Sequence, residues 1–377
     1  MNNWQTKKLG ELAEYINGYP FKPTDWMGSG LPIIRIQNLN NSNKEYHHFN
    51  GGIPEKYCVK KGDILISWSA SLGSYIWDKE AAWLNQHIFK VNVDENKVNK
   101  DFFYFLSITI LEEMKRKTHG GTMKHITKGL FENILVKVPS LGIQRQIVEK
   151  LDSIRKLQEL NQIEIEKAEE LFNALLTKVL STHKDWKIKK LPEIAKVQRG
   201  KFTPRPRNDP KYFGGTIPWI QTGDITNSTG IIATYSQTLN EKGLEVSRLF
   251  SKGTIVVTIA ANIGDFAILG IDVAFPDSVV GIQVDSSIVN NQFLYYQLLK
   301  TKSYLNQQAT QAAQKNINLQ VLSNINIAFP SLREQGEIVE KLDSVVEYKN
   351  TLIKERAKLS ELFECALNKA MKGELSN

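Results

Sequence analysis

PSLGIQRQIVEKLDSI, residues 139–154, and PSLREQGEIVEKLDSV, residues 330–345, stand 191 positions apart in one chain (330 − 139). An internal repeat fixes architecture before any local motif does. Each copy reads as a helix start, with Pro-Ser closing an extended segment before an apolar period begins. In the first copy Ile147, Leu151, Ile154, Ile165, Ala168, Phe172, Leu175 and Val179 follow alternating steps of four and three, skipping Gln158 and Asn161. In the second the series is Ile338, Leu342, Val345, Leu352, Leu359, Phe363, Ala366 and Ala370, skipping Lys349 and Arg356. This is a heptad seam with polar breaks in its middle. A single amphipathic core helix would show the same steps. The runs, however, last about 40 residues and so about 60 Å at 1.5 Å per residue, which argues for two long paired helices.

The repeat extends beyond the helices. Trp4, Leu9, Glu11, Ala13 and Gly18 match Trp186, Leu191, Glu193, Ala195 and Gly200 at an offset of 182, and each set is expected to open its half as a short helical segment. LPIIRIQNLN (31–40) matches IPWIQTGDIT (217–226), and both read as strands. KGDILISWSASLGSYIW (61–77) matches KGTIVVTIAANIGDFAI (252–268), buried strands with a turn before Gly73 or Gly264. Residues 1–138 and 184–329 are therefore two copies of one mixed α/β domain, and residues 139–183 and 330–377 are the long helices. The predicted fold is α+β, with two homologous domains separated by helices that form an antiparallel coiled coil with pseudo-two-fold symmetry.

The 377 residues carry a net charge of +8 and only two cysteines, Cys58 and Cys365, which form no metal-ligand pattern. A reduced, cytoplasmic compartment is the simplest expectation. No run of 18 apolar residues occurs, so no membrane span is expected. Catalytic signatures are missing. There is no Asn-Pro-Pro-aromatic or Asp-Pro-Pro-aromatic run and no GxxxxGK loop. YFGGT (212–216) precedes a strand, where a cofactor loop would follow one, and Pro276-Asp277 lacks the acid-x-lysine of a nuclease. His87 and His125 have no partner at a telling spacing, and no metal site is expected.

The Pro-x-Leu-x-x-Gln-x-x-Ile-Val-x-Lys-Leu-Asp helix entry, used twice, resembles the specificity subunit of type I restriction-modification systems. The matching residues are Pro139, Leu141, Gln144, Ile147, Val148, Lys150, Leu151 and Asp152, then Pro330, Leu332, Gln335, Ile338, Val339, Lys341, Leu342 and Asp343. The first copy departs from the family's Glu-Gln pair with Ile143-Gln144, whereas the second keeps Glu334-Gln335. The resemblance implies two target recognition domains that bind a bipartite site in double-stranded DNA. It also implies two modification subunits that bind S-adenosylmethionine and methylate adenine, restriction or translocase subunits where the system has them, and no catalytic residue or cofactor on this chain. Two other readings fit the residues: a recognition module of a single-chain restriction-modification enzyme, or a coiled-coil scaffold without DNA binding.

Polar side chains in the divergent loops are the expected DNA contacts, since Arg, Lys, Asn and Gln neutralise phosphates or read base edges. In the first domain these are Arg35, Asn38, Ser67, Trp68, Ser69, Lys115, Lys117, Thr122, Lys124 and His125, with Trp68 fitting a core position equally well. In the second they are Arg199, Lys201, Arg205, Gln221, Thr258, Asn262, Gln311, Gln314, Lys315 and Asn316. Helix pairing is expected from Ile147, Leu151, Ile154, Ile165, Phe172 and Leu175 against Ile338, Leu342, Val345, Leu352, Leu359 and Phe363.

Overall fold

The structure is a computed structural model that describes residues 4–41, 43–69, 71–118, 127–181, 185–310 and 316–374. The chain divides into two compact units, Met1–Ile163 with Lys354–Asn377, and Glu164–Ile353. Each unit holds one copy of the repeated domain and one stretch of each long helix.

In the first unit an antiparallel sheet runs in the order Ala13–Asn17, Ile88–Val93, Ile64–Ser67, Gly73–Ile76. A second sheet orders His47–Phe49, Leu31–Ile34, Ala82–Leu84 and Cys58–Val59, with its central pair parallel. A helix, α1 (Lys100–Thr118), covers the first sheet. Ile64 and Ile66 and the α1 aromatics Phe102, Phe103 and Phe105 share one core with Leu9, Tyr15 and Phe131, while Leu65 faces a second cluster with Ile34, Val59 and Leu84. The second unit repeats the plan. Its larger sheet runs Ala195–Arg199, Val279–Val284, Ile255–Thr258, Phe266–Leu269, Ile231–Ile232, and its smaller one Gln237–Leu239, Phe213–Trp219, Val273–Ala274, Leu249–Phe250.

Two local expectations are corrected. The segments opening each half are not helical throughout. Gln5–Lys8 and Lys187–Lys190 are strands paired with Leu135–Val138 and Asn326–Phe329, and only a single turn separates each from the next strand. Ladder partners more than 100 residues away satisfy the backbone there, so tertiary pairing overrides local pattern. Likewise 31–40 and 217–226 are strands only in part, with short helices at Ile36–Asn40 and Thr222–Thr226. The cause is local: the carboxamide of Asn38 accepts from the Arg35 N–H at 3.1 Å, and the Asp224 carboxylate accepts from the Gln221 N–H at 2.7 Å. A side chain reaching back three residues closes a helical turn instead of extending a strand.

The long helices are α2 (Leu141–Val179) and, after the short helix α3 (Asn291–Leu299), α4 (Leu332–Lys372). Within the first unit they run antiparallel. The Gln158 amide donates to the Leu359 carbonyl at 3.4 Å, and the Arg356 guanidinium to Gln162 Oε1 at 2.7 Å. Within the second unit Lys349 pairs with Glu169, while Ile165 and Ala168 bury against Leu352. Gln158, Lys349 and Arg356, polar breaks in the heptad series, thus hold interhelix bonds, as polar core positions do when they set register. Every seam residue is buried or half-buried. The seam does not serve the partner helix alone, however. Ile147 and Leu151 enter the first unit's domain core, and Phe363 lies 6.0 Å from Phe105. Phe172 and Leu342 enter the second, where Phe172 lies 5.9 Å from Tyr296.

The glutamine of the repeated motif explains how domain and helix are joined. Gln144 is fully buried; its Oε1 accepts from the Asn99 N–H at 2.7 Å and its Nε2 donates to the Pro139 carbonyl at 2.8 Å. Asn99 in turn caps α1, its Oδ1 accepting from Phe102 N–H at 3.0 Å. Gln335 does the same: Asn290 N–H at 2.7 Å, Pro330 carbonyl at 2.9 Å, and Asn290 capping α3 through Phe293 N–H at 3.0 Å. One amide therefore ties the start of the long helix to the start of the domain helix in each unit.

Candidate nucleic-acid interface

The expected contact residues separate into scaffold and surface. Asn38 is scaffold. It is buried, and besides its cap its Nδ2 donates to the Lys44 and Glu45 carbonyls, both at 3.1 Å. Ser67 and Thr258 are fully buried at matching strand ends. Their hydroxyls reach the Ser71 and Asn262 carbonyls and hold the turns that follow. Ser69 is buried too, and Trp68 packs on the core, stacked over Phe89 with centroids 5.7 Å apart. Asn38, Ser67, Ser69 and Thr258 are therefore buried where they shape loops, while Trp68 is half-buried.

The second turn is conformationally demanding. Ala261 has φ 62°, in the left-handed region, and its neighbour Asn262 is exposed, donating to Thr226 Oγ1 at 3.1 Å. Asn316, also exposed, lies beside this turn through a backbone bridge to Ala260. Thr258, Asn262 and Asn316 are thus brought together. Gln311, Gln314 and Lys315 lie outside the described residues, as do Thr122, Lys124 and His125. Lys115 is exposed near the end of α1, and Lys117 falls in the last turn of that helix.

A cleft of 600 Å³ opens in the first unit, and Arg35 stands in it. Its guanidinium carbon lies 5.6 Å from the Trp26 ring centroid, and Trp26 stacks flat on His47 at 3.9 Å with 2° between the planes. Gln37, Asn40, Asn85, Gln86 and His87 line the same cleft. The Tyr75 hydroxyl donates to Asn40 Oδ1 at 2.7 Å. Burial pushes the Tyr75 phenol up, against a smaller lowering from Ser67, so it stays a donor. With its oxygen engaged, Asn40 keeps its amide hydrogens for another partner.

The second unit has different chemistry at the corresponding places. Gln221, 186 positions after Arg35, is exposed and donates to Gln237 Oε1 at 2.9 Å. Asp277 occupies the place of Gln86. It pairs with Arg207 at 2.8 Å, and its carbonyl accepts from Arg199 Nε. Arg205 donates to the Pro204 carbonyl at 2.8 Å, and Lys201 is exposed.

Trp26, His47, Gln37, Asn40, Gln86 and the Arg207–Asp277 pair are not among the contacts expected from the sequence. Only the amide-rich spelling of 36–43 could have signalled them, because Trp26, Arg35 and Gln86 meet through sheet pairing rather than spacing. Among the described residues no group of three or more His, Cys, Asp or Glu side chains could hold a metal ion. No described helix is long and apolar enough to cross a membrane.

Two like domains, each joined to stretches of two long helices, present amides and guanidinium groups from loops beside their sheets, and such groups are suited to reading base edges. The sequence model of the type I restriction modification DNA specificity domain matches this chain twice, over residues 1–170 and 183–362, and the chain belongs to that family. It is 27% identical over 415 residues to the type I restriction enzyme EcoBI specificity subunit of Escherichia coli, covering 100% of this chain and 87% of that one. It is also 27% identical over 414 residues to the MjaVIII specificity subunit of Methanocaldococcus jannaschii, covering 98% and 91%. Two solved structures share the fold. A chain of a type I R-M system complex matches with TM-score 0.65 at 18% identity, over 99% of this chain and 98% of that one. The type I S subunit from M. genitalium matches with TM-score 0.55 at 15% identity, over 98% and 96%.

Proposed function

We propose that this chain is the non-catalytic reader of a bipartite DNA target, one half-site per unit, and that it docks two modification subunits. Those subunits bind S-adenosylmethionine and methylate adenine, and restriction subunits join the same assembly where the system includes them. The observation that carries the reading is one frame used twice with different chemistry at the same places: Arg35 and Gln86 in one unit, Gln221 and an arginine-clamped Asp277 in the other. Equal frames give equal placement on a duplex, and unequal side chains read unequal bases. Exposed Lys115 and Lys201 supply the salt-dependent, sequence-independent part of binding. Exposed apolar residues on the long helices, Leu157, Leu160 and Ile163 on α2 and Tyr348 and Leu362 on α4, offer surface to protein partners, and a cytoplasmic location fits two free cysteines.

The test is methylation mapping. The chain alone with S-adenosylmethionine is expected to transfer no methyl group to DNA. Combined with its modification subunit it is expected to methylate adenines at two short defined sequences flanking an unspecified spacer. Methyl transfer by the chain alone, or a single contiguous target, refutes the reading. A chain that shows no salt-dependent affinity for DNA is a scaffold instead.

A further inference from the structure

We infer that Arg35 reads a guanine in the half-site of the first unit, and that Trp26 and His47 are its positioning residues. This rests on the proposed DNA-reading role and adds the base, the residue and the device that aims it.

Three observations carry it. First, Arg35 is the only residue of either formal charge, histidine aside, among the described residues lining the 600 Å³ cleft, where no lysine and no carboxylate appears. The remaining polar lining is Gln37, Asn40, Ser71, Asn85, Gln86 and His87. Phosphate-tracking surfaces collect several cations, whereas base edges are read by amides and a planar guanidinium. Second, Arg35 lies against the Trp26 ring at 5.6 Å, and Trp26 is itself stacked on His47. A guanidinium resting on an aromatic surface loses rotamer freedom before binding, and its planar fork matches the O6 and N7 acceptors of guanine. Third, the platform is anchored. His47 lies in a strand in register with Ile33, and the Met27 N–H donates to the His48 carbonyl at 2.9 Å, fixing the chain beside Trp26. Trp26 is nonetheless 40% exposed, more than its ring would be as a core residue. The second unit has glutamine in place of Arg35, so this stacked arginine acts on the first unit's half-site.

The experiment compares methylated-site maps of the full chain in complex with its modification subunit, for the parent, Arg35→Lys, Arg35→Gln, Trp26→Ala and Trp26→Phe. Lysine keeps the charge and loses the fork. Arg35→Lys and Arg35→Gln are expected to lose discrimination at one G·C pair of one half-site by roughly tenfold or more, with the other half-site unchanged. Trp26→Ala is expected to relax the same base pair to a smaller degree, and Trp26→Phe to restore it, which a merely structural Trp26 would not do selectively. Thermal melts of the variants show that each is folded. If Arg35→Lys keeps every base preference, Arg35 is a phosphate contact and the inference falls while the DNA-reading role stands. If the parent complex shows no defined half-sites, the role and the inference fall together.

Discussion

Replacing Gln144 by leucine removes a buried amide on which two backbone groups depend. Leucine nearly matches the volume, so the loss is one of hydrogen bonding rather than of packing. The Asn99 N–H loses its 2.7 Å acceptor and the Pro139 carbonyl its 2.8 Å donor. A buried group left unpaired costs about 1–3 kcal/mol. The leucine is easier to desolvate than the amide, which returns part of this, so the net expectation is roughly 2–4 kcal/mol for the first unit. The second unit keeps its own copy, in which Gln335 holds Asn290 and Pro330. A chain of two units need not unfold in one step, so a single midpoint would blur the effect. Site-resolved amide hydrogen exchange separates the units. In Gln144→Leu the amides of Asn99 and Phe102 should lose protection by about 30-fold or more, the equivalent of 2 kcal/mol, while those of Asn290 and Phe293 hold. Gln335→Leu should give the mirror image. Unchanged protection at Asn99, or equal loss in both units, refutes the claim that the motif glutamine joins each domain to its own helix.

Exchanging residues 184–329 for the matching stretch of a relative should change one half-site in a methylation map and leave the other, because the loops that differ belong to one frame. Ala261→Gly should stabilise the second unit by about 0.5–1 kcal/mol in a melt, since a left-handed alanine costs about 1–2 kcal/mol and glycine returns part of that as chain entropy. A destabilised variant would show that the Cβ makes a needed contact. Asp152→Asn tests a titration. Burial raises the Asp152 carboxyl above its usual range, against a smaller lowering from Arg155. A raised acid favours the folded state while it is protonated, and that contribution is lost as pH rises through the folded pKa. The asparagine variant should therefore be as stable as the parent or more so at neutral pH, with any advantage vanishing as the pH falls below the ordinary carboxylate range. An advantage that grows on acidification contradicts this.

The long helices and the doubled domain are legible in the chain alone because their signals are local or periodic. A heptad series needs no partner to be seen, and a repeated IVEKLDS announces a repeated unit wherever it folds. The polar breaks were visible too, although the sequence could not say that Gln158, Lys349 and Arg356 would spend themselves on the facing helix. Family membership follows from the same motifs.

What only the tertiary structure decided is which polar loop residues are free to touch anything. Asn38, Ser67 and Thr258 look like surface readers in the sequence, yet each is buried and turned onto nearby backbone carbonyls. Trp26, Arg35 and Gln86 look unrelated, yet sheet pairing gathers them around one cleft. Gln144 is in the sequence only a position of the repeated helix-entry motif, yet its amide reaches a residue 45 positions away. The reason is physical. Periodicity records which face of an element is apolar, but a polar side chain's partner is set by the closest packing of distant strands, where an unpaired buried group is too costly to leave.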